Sequence, residues 1–304
     1  MFESLLAKIN AIIKNPRRLL IHLLHKVGII FSDATYLKLY YRVQMGRRLD
    51  LTNPLTYNEK LQWLKLYNRK PEYTTMVDKA AVKEYVAKII GEEYIIPTLG
   101  VWDRFEDIDF DSLPNQFVLK TTHGGGNTGV VICKDKSSFD KESAKAKLNK
   151  SLKSCIYRKY KEWPYKNVKH RIIAEEYITD STGELNDYKF FCFNGEPKVM
   201  FIASERLTGV KFDYFDMNFN HLPFEQGGPS SKKQHTKPKN MDKMADISAK
   251  LSTDIPHVRV DLYDVDGKVY FGELTFFDSS GYAKFEPEEW DYKFGEWIEL
   301  PKKL

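Results

Sequence analysis

Cysteine is scarce in this chain of 304 residues. Cys133, Cys155 and Cys192 are odd in number, lie far apart and form no CxxC pair. That excludes a disulfide framework and a cysteine zinc site, and fits buried thiols in a reducing compartment. Long apolar runs are also missing. The stretch Leu19–Phe31 is interrupted by His22, His25 and Lys26, is too short to span a bilayer, and leads to no small-residue cleavage site. A cytoplasmic protein is expected. There is no GxxxxGK[ST] loop, no GxGxxG opening a helix, no internal repeat and no low-complexity tract, so neither a P-loop nor a Rossmann dinucleotide site is expected.

A global excess of one charge is absent too. The net charge is +5, but residues 1–49 hold nine Lys/Arg against Glu3 and Asp33, a local +7 that leaves the remainder at −2. A nucleic-acid surface is not supported. A basic arm is. Pro16 opens a helix in which Leu19, Leu20, Leu23, Leu24 and Val27 share a face beside Arg17, Arg18 and Lys26. That helix either packs on the body or lies along the inner face of a membrane.

What the chain does have is an ordinary globular composition, 42% hydrophobic and 29% charged, with a high aromatic content of 14%. The length suffices for one large core or two or three small ones. Helices are expected over 57–66, with Trp63 inward, over 76–90 entered through Asp78, over 135–152 and over 241–251. Residues 92–101 and 107–113 read as links and 229–240 as an exposed loop. From Arg171 onward the runs IIAEEYI, DYKFFCFN, EPKVMFIAS, FDYFDMNF, VRVDLYDVDG and KVYFGELTFF read as strands.

Two segments carry chemistry. In QFVLKTTHGGGNTGVV, residues 116–131, an apolar strand ends in Lys120, a glycine-rich turn follows, and a second strand returns. Glycines at 124, 125, 126 and 129 let main-chain N–H groups approach a ligand, and Thr121, Thr122, His123, Asn127 and Thr128 add polar groups that suit a polyphosphate. In HVRVDLYDVDGKVYFGELTFFDSSG a hairpin turns at Asp266-Gly267. Asp261 stands five residues before Asp266 and Glu273 six after Gly267, so the two carboxylates sit near one level of the ladder. Such a pair repels unless a cation lies between, and carboxylate oxygens suit Mg²⁺. Arg259 shares the face of Asp261.

Taken in order, these residues resemble the ATP-grasp superfamily, in particular its branch related to teichuronopeptide synthesis in bacterial surface polysaccharides, over about 51–281. The resemblance implies an α+β fold with two α+β subdomains gripping ATP and a helical N-terminal extension. Its divisions would be 1–50, a basic helical extension; 51–115, a helical region before the nucleotide subdomain; 116–178, a subdomain with the glycine lid; and 179–304, a subdomain with the metal hairpin. It further implies ATP and Mg²⁺ as cofactors. Asp78-Lys79 looks like the opening DK, with Lys79 on the phosphates, Lys120 like the second ATP lysine, and His123, Gly124, Gly125, Gly126, Asn127 and Thr128 like the closing lid.

Glu175, Glu176, Tyr177 and Ile178 look like the adenine hinge, with Glu175 on the adenine amino group. Asp187 looks like the ribose acid, and Lys189 stands where a basic residue reaches the γ-phosphate or substrate carboxylate. Arg259 looks like the transition-state arginine; Asp261 and Glu273 look like metal ligands. Thr275 occupies a position where relatives often carry a metal-binding Asn, and its hydroxyl or Asp278 is the substitute available. The implied activity is a carboxylate–amine ligase working through an acyl phosphate. Its partners would be a uronic-acid-containing surface glycan and a small amine, an amino acid or amino alcohol. A glycosyltransferase or an ATP-dependent sugar kinase is the rival reading. Asp264-Val265-Asp266 spells a DxD motif, but at a hairpin turn.

Overall fold

The computed structural model describes residues 16–126, 128–181, 183, 185–204, 209–231 and 233–303. The helices are α1 (Pro16–Val27), α2 (Asp33–Met45), α3 (Tyr57–Tyr67), α4 (Glu72–Val77), α5 (Ala81–Ile90), α6 (Lys141–Leu152), α7 (Ile156–Tyr160), α8 (Met241–Leu251) and α9 (Glu289–Trp297). The strands are β1 (Thr98–Trp102), β2 (Phe117–Thr121), β3 (Val130–Cys133), β4 (Ile172–Glu176), β5 (Asp187–Phe193), β6 (Glu196–Ser204), β7 (Lys211–Asp216), β8 (Glu225–Gln226), β9 (His257–Val265), β10 (Lys268–Thr275) and β11 (Phe285–Glu286).

These strands form a four-stranded sheet in the order β1-β4-β2-β3, a five-stranded sheet in the order β10-β9-β5-β6-β7, and a short β11-β8 pair. Every pairing is antiparallel. Each large sheet has its own core. Phe117, Leu119, Ile172 and Ala174 of the smaller sheet pack with Leu148 of α6 and Phe110. The larger core joins Phe190, Val260 and Leu262 of the five-stranded sheet to Tyr36, Leu37, Tyr40 and Tyr41 of α2 and to Phe294 of α9.

Helix α3 has a capping box: Thr56 accepts from the Glu59 backbone N–H, and the Glu59 carboxylate returns to the Thr56 N–H. Its polar residues Asn58, Gln62 and Lys65 are nevertheless fully buried. Gln62 Nε2 donates to the Ser280 and Gly281 carbonyls at 3.1 and 2.9 Å, and Lys65 Nζ to the Ser280 carbonyl at 2.8 Å. These bonds hold a turn in which Ser279, Ser280 and Gly281 all have positive φ, 48°, 55° and 66°, a conformation that needs outside support at serine.

Three expectations change. The helix expected over 76–90 is two helices, broken at Asp78-Lys79-Ala80. Asp78 Oδ1 accepts from the Ala80 N–H at 2.9 Å, and the Lys79 N–H goes to the Thr122 carbonyl at 2.9 Å instead of into a helix. The helix expected from Asp135 starts at Lys141, where Asp140 caps the Ser143 N–H; a single 3₁₀ turn precedes it. Residues 98–101, read as part of a link, belong to β1, which pairs with β4.

Helix α9 crosses α3 so closely that a Cβ on Gly295 would lie 2.2 Å from the Leu55 carbonyl oxygen and 2.9 Å from the Tyr57 nitrogen. Helix propensity alone favours Gly295→Ala by about 1 kcal/mol. A backbone clash outweighs that, because main chain cannot rotate away; the variant is expected to lose roughly 2 kcal/mol, read by urea denaturation, and a gain in stability would contradict this packing.

Candidate nucleotide and metal site

The cleft between the two sheets begins at the broken helix. Asp78 Oδ2 accepts from Arg171 Nη2 at 3.0 Å, which fixes the turn that presents Lys79. Lys79 Nζ then bridges the sheets, donating to the Gly124 carbonyl at 2.9 Å and to Glu273 Oε2 at 3.0 Å. On β4, Glu175 is buried while Glu176 faces solvent, as strand alternation requires. Glu175 Oε1 meets Lys83 Nζ at 2.7 Å and Oε2 meets Lys120 Nζ at 2.5 Å. A cavity here is lined by Lys79, Val82, Lys83, Ile96, Glu175 and Phe271, with Ile95, Lys120 and Gly272 completing it. Val82, Ile95, Ile96 and Phe271 give it apolar sides and Lys79, Lys83 and Lys120 three ammonium groups, but with these side chains paired to Glu175 and Glu273 it has room for only about 10 Å³.

Across the cleft, Asp261 and Glu273 are directly opposite on β9 and β10. The one-residue mismatch in their distances from the turn is absorbed by a bulge at Gly272, whose Cβ would press on the Asp261 carbonyl oxygen at 3.0 Å. Both carboxylates face the same cluster. Arg259 donates from Nε and Nη2 to the two Asp261 oxygens at 2.7 Å each, from Nη1 to Asp278, and from Nη2 to Thr275 Oγ1 at 3.2 Å; Glu273 Oε1 stands 3.7 Å from Nη2. Lys189 pairs with Asp187 at 2.7 Å and closely with Asp261.

Burial works against the charge on Arg259, but Asp261 and Asp278 keep it firmly protonated. Burial likewise raises the Glu273 carboxyl, yet Lys79, Lys189 and Arg259 together hold it far below the usual carboxylate range. All donors here are oxygens: two carboxylates and the Thr275 hydroxyl, which lies 3.5 Å from Glu273 Oε1. Among the described residues no group of three or more His, Cys, Asp or Glu is placed to hold a metal unaided. Mg²⁺ commonly binds through one or two carboxylates plus substrate phosphates. Glu273, whose side chain is 32% exposed, fits that mode, whereas Asp261, buried with both oxygens held by Arg259, would have to exchange part of that pairing for a metal.

The glycine loop has a base held by hydrogen bonds. Thr121 Oγ1 and Ser151 Oγ share a hydrogen bond of 2.8 Å, and a Cβ on Gly124 or Gly129 would press within 2.4 Å of the Thr121 hydroxyl. Those glycines are needed for close approach. Gly126, at φ +57°, has open space. Thr128 Oγ1 donates to the Gly125 carbonyl, and Asn127 lies outside the described residues.

His123 departs from its expected place at the nucleotide. Its ring is buried, its Nε2 bonds the Ser151 carbonyl at 3.1 Å, and it stacks on His170 at 3.6 Å. Burial, with His170 alongside, pushes its pKa down to about 4, so it is neutral at pH 7 and ties the base of the glycine loop to α6.

Asp264-Val265-Asp266 is occupied by its turn: Asp264 accepts from the Gly267 N–H and Asn240 Nδ2, and Asp266 from Ser181. Tyr177 and Ile178 follow β4 directly, half-buried. The sequence reading missed Lys83. Its only signal was its spacing, one turn after Lys79 and beside the buried Val82 and Val86.

Gly129→Ala would drive a methyl into the bonded Thr121–Ser151 pair, and is expected to cost roughly 1–2 kcal/mol. Gly125→Ala meets only the end of Ile156 at 3.4 Å, and should change stability by less than about 0.5 kcal/mol. Equal losses in thermal denaturation would contradict a base held by hydroxyl packing.

No curated protein matches the sequence. Among solved structures, the D-alanine–D-alanine ligase from Bacillus anthracis complexed with ATP is 16% identical over 66% of this chain and 54% of that one, with a TM-score of 0.39. The Helicobacter pylori D-alanine–D-alanine ligase is 13% identical over 81% and 69%, with a TM-score of 0.42. The D-cycloserine synthetase DcsG is 16% identical over 80% and 70%, with a TM-score of 0.41. The chain spans just over half the length of the Bacillus anthracis ligase. The model of the TupA-like ATP-grasp family matches residues 59–299, a span that contains Lys79, the glycine lid, Glu175 and the Asp261–Glu273 hairpin, and the chain belongs to that family.

Proposed function

We propose that this chain is an ATP-dependent carboxylate–amine ligase that forms ADP and an amide through an acyl phosphate. The observation that carries the reading is the Asp261–Glu273 pair with Arg259 between them, facing Lys79 at the root of the lid. The four-stranded sheet with its lid is one jaw and the five-stranded sheet the other. Lys79 and Lys120 give up Glu273 and Glu175 to neutralise the triphosphate, and Tyr177 and Ile178 offer backbone to the base. Asp187 takes the ribose and Lys189 steers the acceptor carboxylate towards the γ-phosphate.

Mg²⁺, bound with the triphosphate at Asp261, Glu273 and Thr275, would supply charge neutralisation. Arg259 stabilises the charge on the phosphoryl group in transit. The carboxylate oxygen attacks the γ-phosphorus and ADP leaves. The amine nitrogen then attacks the acyl carbon, phosphate departs, and the nitrogen loses its proton. The lid keeps water from the acyl phosphate.

Three segments converge where the acceptor would enter. Gln226 Nε2 donates to Asp278 Oδ2 at 3.0 Å, and a Cβ on Gly227 would touch Phe212 at 3.7 Å and Ser279 Oγ at 3.9 Å. The acceptor proposed is a uronic acid of a surface or capsular polysaccharide, or its precursor; the amine is an amino acid or small amino alcohol.

The protein incubated with Mg·ATP, uronic acid oligosaccharides and a panel of amines should give a product heavier than the glycan by amine minus water, with ADP in equal amount. Asp261→Asn and Glu273→Gln should each lower turnover at least about a hundredfold. AMP formation, or sugar transfer without ATP, overturns the reading; full activity in both variants overturns the metal assignment.

We also place the protein in the cytoplasm, against the inner face of the membrane. No helix among the described residues is long and apolar enough to cross a membrane. Yet Leu19, Leu20, Leu23 and Val27 of α1 are exposed, and Ile29 and Ile30 beyond it are 81% and 75% exposed. Leu20, Leu24, Leu39 and Val43 line a groove of about 620 Å³ with Arg17 and Arg42. Arg17, Arg18 and Lys26 without a single acid in α1 complement anionic headgroups.

Full-length protein should bind phosphatidylglycerol-containing vesicles in preference to pure phosphatidylcholine. Ile29→Ser with Ile30→Ser should weaken that binding at least about tenfold. Unchanged binding in the double variant rejects the surface, as does a wild-type dimer that this variant dissolves, or a face that takes up lipid only after residues 1–15 are removed.

A further inference from the structure

Glu175 is a buried carboxylate shared by two ammonium groups, and the two are not held alike. Lys83 Nζ donates to Glu175 Oε1 at 2.7 Å and also to the Ile96 carbonyl at 2.5 Å. Lys120 Nζ has Glu175 Oε2, at 2.5 Å, as its ion-pair partner among the described residues. Lys83 is therefore tied at two points, to β4 and to the chain just before β1, whereas Lys120 sits at the strand end beside the lid. Lys79 completes the charged lining, β10 contributes only Phe271 and Gly272, and β1 carries no charged side chain.

If Lys120 turns from Glu175 to a phosphate, Glu175 loses half of its compensation while remaining buried. An isolated carboxylate there would be costly and would take up a proton. We propose that Lys83 is the positioning residue of the base end of the cleft: it keeps Glu175 ionised and oriented when Lys120 transfers to the triphosphate. The inference rests on the nucleotide site proposed above. Its electrostatics are consistent: burial raises the Glu175 carboxyl, but Lys120 and Lys83 together bring it below its ordinary value, while burial, opposed by Glu175, lowers Lys83.

The test is calorimetric binding of Mg·AMP-PNP to the full chain in phosphate and in Tris at pH 7, which separates binding heat from proton uptake. Wild type should bind with essentially no proton exchanged. Lys83→Met keeps the aliphatic stem and removes the charge. It should bind at least about tenfold more weakly and take up a proton approaching one per site. Because the bound form then holds more protons than the free form, its affinity should rise as pH falls from 8 to 6, a slope wild type lacks. Lys83→Arg should restore affinity and abolish the uptake. Should Lys83→Met fail to fold, Lys83→Gln keeps a donor for the Ile96 carbonyl without charge, and must show the same uptake. Wild-type affinity without proton uptake in the neutral variant rejects the role of Lys83 alone. A wild-type protein that does not bind Mg·AMP-PNP rejects the nucleotide site itself.

Discussion

Asp187, Asp261, Glu273 and Asp278 share one strip of the cleft with Lys79, Lys189 and Arg259, and the molecule is organised around keeping those largely buried charges paired. Taking one ion out of such a set leaves its neighbours buried and uncompensated, which costs more than the pair contributes when complete. The constraint reaches far along the chain. Arg259 holds Asp261 with two nitrogens while Asp278 takes its third. Asp278 is placed by the positive-φ turn that follows it, and that turn is held from Gln62 and Lys65 on α3. A helix more than 190 residues upstream of Arg259 thus belongs to the support of the site.

If the cleft takes a triphosphate as proposed, the same pairing would let it do so without rearranging the fold. Lys79 and Lys120 are each matched to a carboxylate that has another cation to fall back on: Arg259 beside Glu273, Lys83 beside Glu175. On the proposed function a triphosphate would compete for ammonium groups already in place, and the carboxylates released would keep a partner. Without the second cation at each end, the same exchange would expose a buried charge in low dielectric.

Much of this was legible in the chain. Counting outward from Asp266-Gly267 put Asp261 and Glu273 opposite each other, and the odd residue in that count is the Gly272 bulge. The glycine hairpin and α8 fall where their patterns end. What escaped has a common cause: partners distant in sequence. Nothing in their residue types announces that Asn58, Gln62 and Lys65 of α3 are buried; they are, because residues 280–291 supply their partners. The 76–90 segment has an unbroken helical pattern, and breaks because Thr122 takes the Lys79 N–H. β1 is an edge strand with no buried alternation to announce it.

The glycine loop shows why a motif and its mechanics are separate matters. Four glycines in six residues suggest uniform freedom, but they do two kinds of work. Gly124 and Gly129 leave room for the Thr121–Ser151 hydroxyl pair, which, with His123 stacked on His170, fastens both ends of the loop to the C-terminus of α6. Gly125 and Gly126 meet little or nothing. The base so formed also carries the Gly124 carbonyl to Lys79. On the function proposed above, a lid rooted at this base would close over the phosphates that Lys79 holds, next to the strand that presents Lys120.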